Sequence, residues 1–244
     1  MKNSSELREE ARNNLSSKWG EAILVSLIYW GTSFGLNFAG QIIPFGSLLL
    51  LIVSIPFSYG LSISFLKLKR NDNFSYGDIF TESFNKFTKI WSVIGNMCLK
   101  LLLPIILLIV SIIIFIIASI IPIFTANSSE NVQMALIVVT LILMIIGMIV
   151  YFTALILLII KGYYYSLSVY LLYDNPNMSG KEIVELSESL MKDQRGNLFM
   201  LQLSFIGWAI LAMLTCALGF LFLIPYVQFA TISFYEDKIS TTNQ

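Results

Sequence analysis

Long apolar stretches alternate along the chain with short polar stretches whose charged residues keep to one helical face. Six apolar stretches are predicted as membrane spans, at about 22–43, 47–66, 101–124, 132–160, 198–214 and 220–234. Several reach about 20 residues, the length that crosses about 30 Å of hydrocarbon at 1.5 Å per residue. The apolar runs are continuous and lack the period-two alternation of barrel strands, so the spans are helices. The run from Leu198 to Tyr235 holds 38 residues without one charge. A single straight helix of that length would measure about 57 Å, so a turn is placed near Thr215 to Gly219.

Three amphipathic helices, at about 4–18, 78–90 and 179–195, fill the polar intervals. The first is predicted to be capped at Ser4 or Ser5, with Glu6, Glu9 and Glu10 near its positive end and Leu7, Ala11 and Leu15 on one face. The second has an aromatic stripe, Phe80, Phe84, Phe87 and Trp91, suited to lying at a membrane surface. In the third, Ser179 and Glu182 have capping-box spacing and Gly196 is the expected C-terminal stop. Its apolar stripe of Ile183, Leu186 and Leu190 is the candidate partner surface. Tyr163, Tyr164, Tyr165, Tyr170 and Tyr173 precede it, as expected where a chain leaves the hydrocarbon. The order amphipathic helix, then hairpin, recurs three times, over 4–66, 78–160 and 179–235. Within the first hairpin, Gly31, Gly35 and Ala39 on one span and Ser54, Ser58 and Ser62 on the next recur every four residues. Such ridges are predicted to face each other.

Charge then sets the orientation. This threading leaves four basic residues in the N-terminal segment, six in 67–100, four in 161–197 and one in the tail, which accounts for all 15. The opposite side carries only Glu130, so the positive-inside rule places both termini in the cytoplasm of a cell-membrane protein. The expected architecture is all-α, a single polytopic helical bundle of about six spans with amphipathic helices on the cytoplasmic side. Basic residues outnumber acidic ones in 67–100, which favours anionic lipid headgroups there. The 161–197 segment has four basic and five acidic residues, leaving a protein partner or a second copy of the chain as its candidate contact.

Composition narrows the chemistry. Of 244 residues, 57% are hydrophobic and only 12% charged, so no core of the chain's own can hide its apolar surface. Net charge is zero, which gives no electrostatic case for nucleic acid. There is no histidine, hence neither a histidine metal site nor a histidine general base. The two cysteines, Cys98 and Cys216, read as small buried hydrophobes. No ionisable residue falls in the middle of a span, against an ion-coupled transporter. Phosphate-binding loops, nucleophile elbows and metal-ligand spacings are lacking, so neither an enzyme nor a cofactor is expected. Gln202 and Gln228 form the candidate intramembrane polar pair. Two functions follow: a non-enzymatic scaffold or regulator acting through 161–197, or a transporter or transporter subunit for a neutral or lipid-like substrate passing the two glutamines.

Certain residues resemble a known family. Glu6-Leu7-Arg8 with Ala11 and Trp19-Gly20, then Gly77-Asp78 with Phe80 and Phe84, are similar to the opening of the bacterial membrane family called domain of unknown function 975. The resemblance continues through Tyr165-Ser166, Tyr170, Pro176-Asn177-Met178-Ser179, Ser187 and Ser189 to Lys192. It is most specific in Leu203-Ser204-Phe205-Ile206-Gly207-Trp208, and it ends in Ile224-Pro225-Tyr226 with Phe234-Tyr235. Leu158-Ile159-Ile160 and Asp193 depart from that pattern. The resemblance implies a multi-pass protein and carries no catalytic or binding residues with it.

Overall fold

The computed structural model describes residues 2–125, 129–215 and 218–242. Asn127 and Ser128, between the third and fourth predicted spans, and Cys216, in the predicted turn near Thr215 to Gly219, lie outside the described residues. The described chain is helical throughout, with twelve helices: α1 Ser4–Leu15, α2 Trp19–Ile42, α3 Gly46–Arg70, α4 Asp78–Asn85, α5 Phe87–Lys100, α6 Leu102–Thr125, α7 Glu130–Tyr164, α8 Ser168–Asp174, α9 Gly180–Met191, α10 Arg195–Leu203, α11 Ile206–Leu214 and α12 Phe220–Thr242. They form two compact units, one of Met1–Gly95 with Tyr164–Gln244 and one of Asn96–Tyr163.

In the larger unit, α2 and α3 make an antiparallel hairpin, α4, α8 and α12 pack on α3, and α1 lies along α12. The core is where these helices meet. Leu7, Ala11 and Leu15, expected on one face of a helix, are buried against the chain's own helices, and Ile63, Phe65, Leu66, Phe229 and Phe234 are fully covered. Phe65 meets Phe229 edge-on at 6.2 Å between ring centres, joining α3 to α12. The N-cap of α1 is Asn3, ahead of the two serines expected. Its side chain accepts from the Ser5 and Glu6 amides while Glu6 accepts from the Asn3 amide. Asparagine one position earlier lets Glu6 occupy the third helical position, which completes the box.

The hairpin turn is tight because Phe45 takes a left-handed conformation, φ 59°, which Gly46 does not need. Gly46 serves close approach instead: a Cβ there would lie 2.2 Å from the Gly40 carbonyl oxygen. This corrects the predicted ridges. Gly31 and Gly35 face open space, and Ser54 and Ser58 are exposed, their hydroxyls bonded back to Leu51 and Ile55 of their own helix. Ala39 and Ser62 are half-buried. The hairpin forms, but its close contact sits at the turn, through Gly40 and Gly46, while Ala39 and Ser54 line clefts between the two helices.

Two boundaries also differ. The second amphipathic helix breaks at Lys86, so α4 and α5 replace one helix. The third ends at Met191, and Gly196 falls inside α10. Asn71, at φ 55°, supplies the left-handed stop for α3 that glycine usually provides.

The smaller unit holds α6 and nearly all of α7. Away from the face along which the two helices meet, their apolar side chains are exposed, from Ile109 and Ile116 on α6 to Ile145 and Ile149 on α7. Water does not tolerate such surface, and lipid does. Gly147 admits Ile114 and Phe115 of α6, which a Cβ would meet at 3.2 Å. At the polar end the Lys161 ammonium donates to the Lys100 carbonyl at 2.8 Å, so the two ends of this hairpin lie side by side.

Candidate functional site

The polar ends of α1, α3, α8 and α12 meet in one ion-paired cluster. Lys69 donates to Glu10 at 3.1 Å and to Glu236 at 2.7 Å, and its side chain is only 5% exposed. Arg70 grips Asp174 with both terminal nitrogens, at 2.7 and 3.0 Å, and reaches Glu236 through Nε at 2.9 Å. The Tyr235 hydroxyl donates to Asp174 at 2.7 Å. Lys2 adds two links: its ammonium to Glu10 at 2.7 Å and its amide to Asp237 at 2.9 Å. A two-pronged guanidinium–carboxylate pair is among the strongest polar contacts available and fixes orientation as well as distance. Residues far apart in sequence are thereby tied together at one end of the unit.

Local sequence explains why they arrive there. Lys67, Lys69 and Arg70 are the last turn of α3, where the helix dipole favours cations. Glu236 and Asp237 follow directly on the uncharged stretch of α12. Lys18, between α1 and α2, donates to the Leu68 and Lys69 carbonyls at 2.6 and 3.2 Å, satisfying the open end of α3. Burial raises the Glu10 pKa, but the hydrogen bond from Lys2 and the charge of Lys69 outweigh it and hold the carboxyl below its ordinary range.

A second cluster joins α3 to α4. Lys67 bridges Asp78 at 3.2 Å and Glu82 at 2.8 Å, and Asp78 also accepts from the Ser75 amide ahead of α4. Lys86 lies over the Tyr173 ring at 4.5 Å, and burial holds its pKa below the ordinary lysine value. The helices touch through Gly60, where a Cβ would sit 2.1 Å from the Ile79 carbonyl, and through the Ser83 hydroxyl, which donates to the Pro56 carbonyl at 2.8 Å. The aromatic stripe divides: Phe84 is 64% exposed, Phe80 meets Phe57 of α3 at 5.6 Å between ring centres, and Phe87 and Trp91 are half-buried. The packing face of Ile79 and Ser83 was not read from the sequence, and its signal was the lone Gly60 opposite.

The candidate partner surface on α9 is internal. Ile183 is wholly buried, Leu190 is buried and Leu186 is half-covered. The predicted capping box is present, with the Ser179 hydroxyl accepting from the Glu182 amide at 3.3 Å and Glu182 accepting from the Ser179 amide at 2.7 Å. Gly180 fits against the backbone of Ser92 and Val93, and the Ser187 hydroxyl donates to the Tyr164 carbonyl at 2.8 Å. An amphipathic helix presents its apolar stripe to whatever core is nearest, and here the chain supplies that core itself. What α9 leaves exposed is its charged face, with Lys181, Glu182 and Glu185.

The intramembrane glutamines are placed differently from each other. Gln228 on α12 is half-buried and accepts from the Tyr170 hydroxyl at 3.2 Å, while Gln202 on α10 is exposed. The basic stretch at 67–100, expected to attract lipid, spends Lys67, Lys69 and Arg70 on carboxylates of its own chain. No group of three or more metal-ligating side chains occurs among the described residues.

Among the described residues, five helical segments, Trp19–Ile42, Gly46–Arg70, Leu102–Ile123, Glu130–Asp174 and Arg195–Leu214, are long and apolar enough to cross a membrane, the pattern of helical membrane proteins. The chain belongs to the family described as protein of unknown function DUF975, which it matches over residues 1–242. No curated protein and no solved structure matches the chain.

Proposed function

We propose that the protein is a non-enzymatic scaffold of the cell membrane, in which apolar helical hairpins cross the bilayer and carry a polar platform on the cytoplasmic side. The observation behind this reading is the cluster of Lys69, Arg70, Asp174, Glu236 and Glu10. It holds helix ends from four distant parts of the chain as one body, and a preorganised surface loses less entropy when a partner docks.

Termini on one side and an even number of crossings are supported by the contact of the Lys2 amide with the Asp237 carboxylate. α12 is not counted as a crossing, since it lies along α1, with Phe222 6.1 Å from Trp19 and Glu236 bonded to Lys69, near the polar end of α3. The cytoplasmic assignment rests on the placement of the 15 basic residues.

The partner contact is the charged face of α9, around Lys181 and Glu185, in place of the apolar stripe that the chain buries. A photo-reactive residue at Glu185, activated in native membranes, is expected to give a discrete adduct, at twice the chain's mass if the partner is a second copy. Absence of any adduct there, with the protein folded and inserted, would overturn the scaffold reading. A transporter passing both glutamines has less support, since Gln228 is engaged by Tyr170 and Gln202 lies on an exposed face.

A further inference from the structure

The larger unit contains an apolar cleft of about 410 Å³ between the start of α2 and the α11–α12 hairpin. Trp19, Trp208, Leu211, Phe222 and Tyr226 line it, with Trp19 and Phe222 6.1 Å apart between ring centres. The volume falls within the range of about 300–1,000 Å³ usual for small-molecule sites. One lining residue is charged: Arg12, on the last turn of α1.

Arg12 differs from the other cations at this end of the unit. Lys2, Lys67, Lys69 and Arg70 are each held by one or more carboxylates, and Lys18 caps α3. Arg12 is exposed and has no ion pair or hydrogen bond from its side chain among the described residues. A guanidinium left free beside an apolar cleft, flanked by two tryptophans and a tyrosine, has the chemistry of a headgroup contact. Its planar fork matches a phosphate diester, and indole and phenol rings settle at the depth where headgroup meets acyl chain.

We infer that this cleft binds a net-negative phospholipid, with the phosphate on Arg12 and an acyl chain along Trp208, Leu211 and Phe222. Charge complementarity names the occupant. The cleft wall holds no carboxylate that would neutralise Arg12 from within, and its remaining surface is chiefly apolar. The site is separate from the α9 face proposed for a protein partner, so either assignment stands without the other.

The test uses the full chain reconstituted in nanodiscs of equal parts phosphatidylglycerol and phosphatidylcholine. It is then exchanged into detergent, and the retained phospholipid is counted by mass spectrometry. The wild type is expected to keep about one phosphatidylglycerol per chain. Arg12→Gln should lower its ratio to phosphatidylcholine by about tenfold, the scale of a lost hydrogen bond to a charged group. Leu211→Trp, which fills the cleft, should release both lipids. Arg8→Gln, on the same helix, should change nothing, and the thermal unfolding of Arg12→Gln should match wild type because no partner inside the chain is lost. Equal retention of the two lipids by the wild type, or an unchanged ratio in Arg12→Gln, would overturn the inference. So would release of the lipid from wild type by glycerol phosphate alone, which would make the site one for a free phosphate.

Discussion

Gly60 shows how much one side chain, or its absence, decides. It is the position where α4 lies on α3 with backbone against backbone, and a methyl group there meets the Ile79 carbonyl at 2.1 Å. Gly60→Ala is expected to destabilise the protein by about 1–3 kcal/mol, the usual cost of overpacking. Gly35→Ala, which meets nothing within 4 Å, should fall within about 0.5 kcal/mol of wild type. Thermal unfolding of both variants in one detergent checks the pair, and equal shifts would contradict the contact. From the sequence alone the two glycines look alike, each in an apolar run. What separates them is the direction in which each faces once the helices are packed.

At the scale of the element, α1 is a helix whose own pattern calls for a neighbour. Leu7, Ala11 and Leu15 were legible as one apolar face from their spacing of four residues, though not as a face covered by the chain itself. That the neighbour is α12, more than 200 residues later, was not legible, because nothing local to either helix names the other. Glu10 reports the docking. Its carboxyl titrates below the ordinary value of 4.5 in the folded protein, so the stability it adds is present above that pH and is lost as pH falls through the depressed folded value. Acidification from about pH 6 to about pH 3 should therefore remove up to about 1 kcal/mol through this group, a figure that allows for screening of its partly exposed pairs. Glu10→Gln should lower stability near neutral pH and flatten that part of the profile, read from unfolding midpoints across the range. An unchanged acid slope in the variant would remove Glu10 from the account. The α9 stripe makes the same point in the other direction. Its helix and capping box were readable, but its apolar face reads identically whether a partner or the chain's own core covers it.

For the whole molecule, the adjacency of the termini carries the prediction. Cysteines placed singly at Ser4 and Ser240, each with Cys98 and Cys216 replaced by Ala, should react with an impermeant maleimide from the same side of sealed vesicles. Label reaching them from opposite sides would mean an odd number of crossings and would contradict the contact between Lys2 and Asp237. Carboxylates and cations too costly to bury in lipid gather at the polar end of the larger unit. There, a surface predicted to attract anionic lipid has become largely self-neutralised.

Sequence by itself determined the apolar runs, the all-helical class and the family, because run length, charge content and helical period are local properties that lipid and hydrogen bonding read directly. It also grouped Leu7, Ala11 and Leu15 on one face of α1 and placed the capping box of α9. Tertiary structure decided the rest. It set Gly40, Gly46 and Gly60 as the close contacts in place of Gly31 and Gly35, turned Ile183 and Leu190 inward, and consumed the charges of Lys67, Lys69 and Arg70 while leaving Arg12 free. Those outcomes depend on which helix lies against which, and a helix carries on its surface the need for a neighbour without the neighbour's identity.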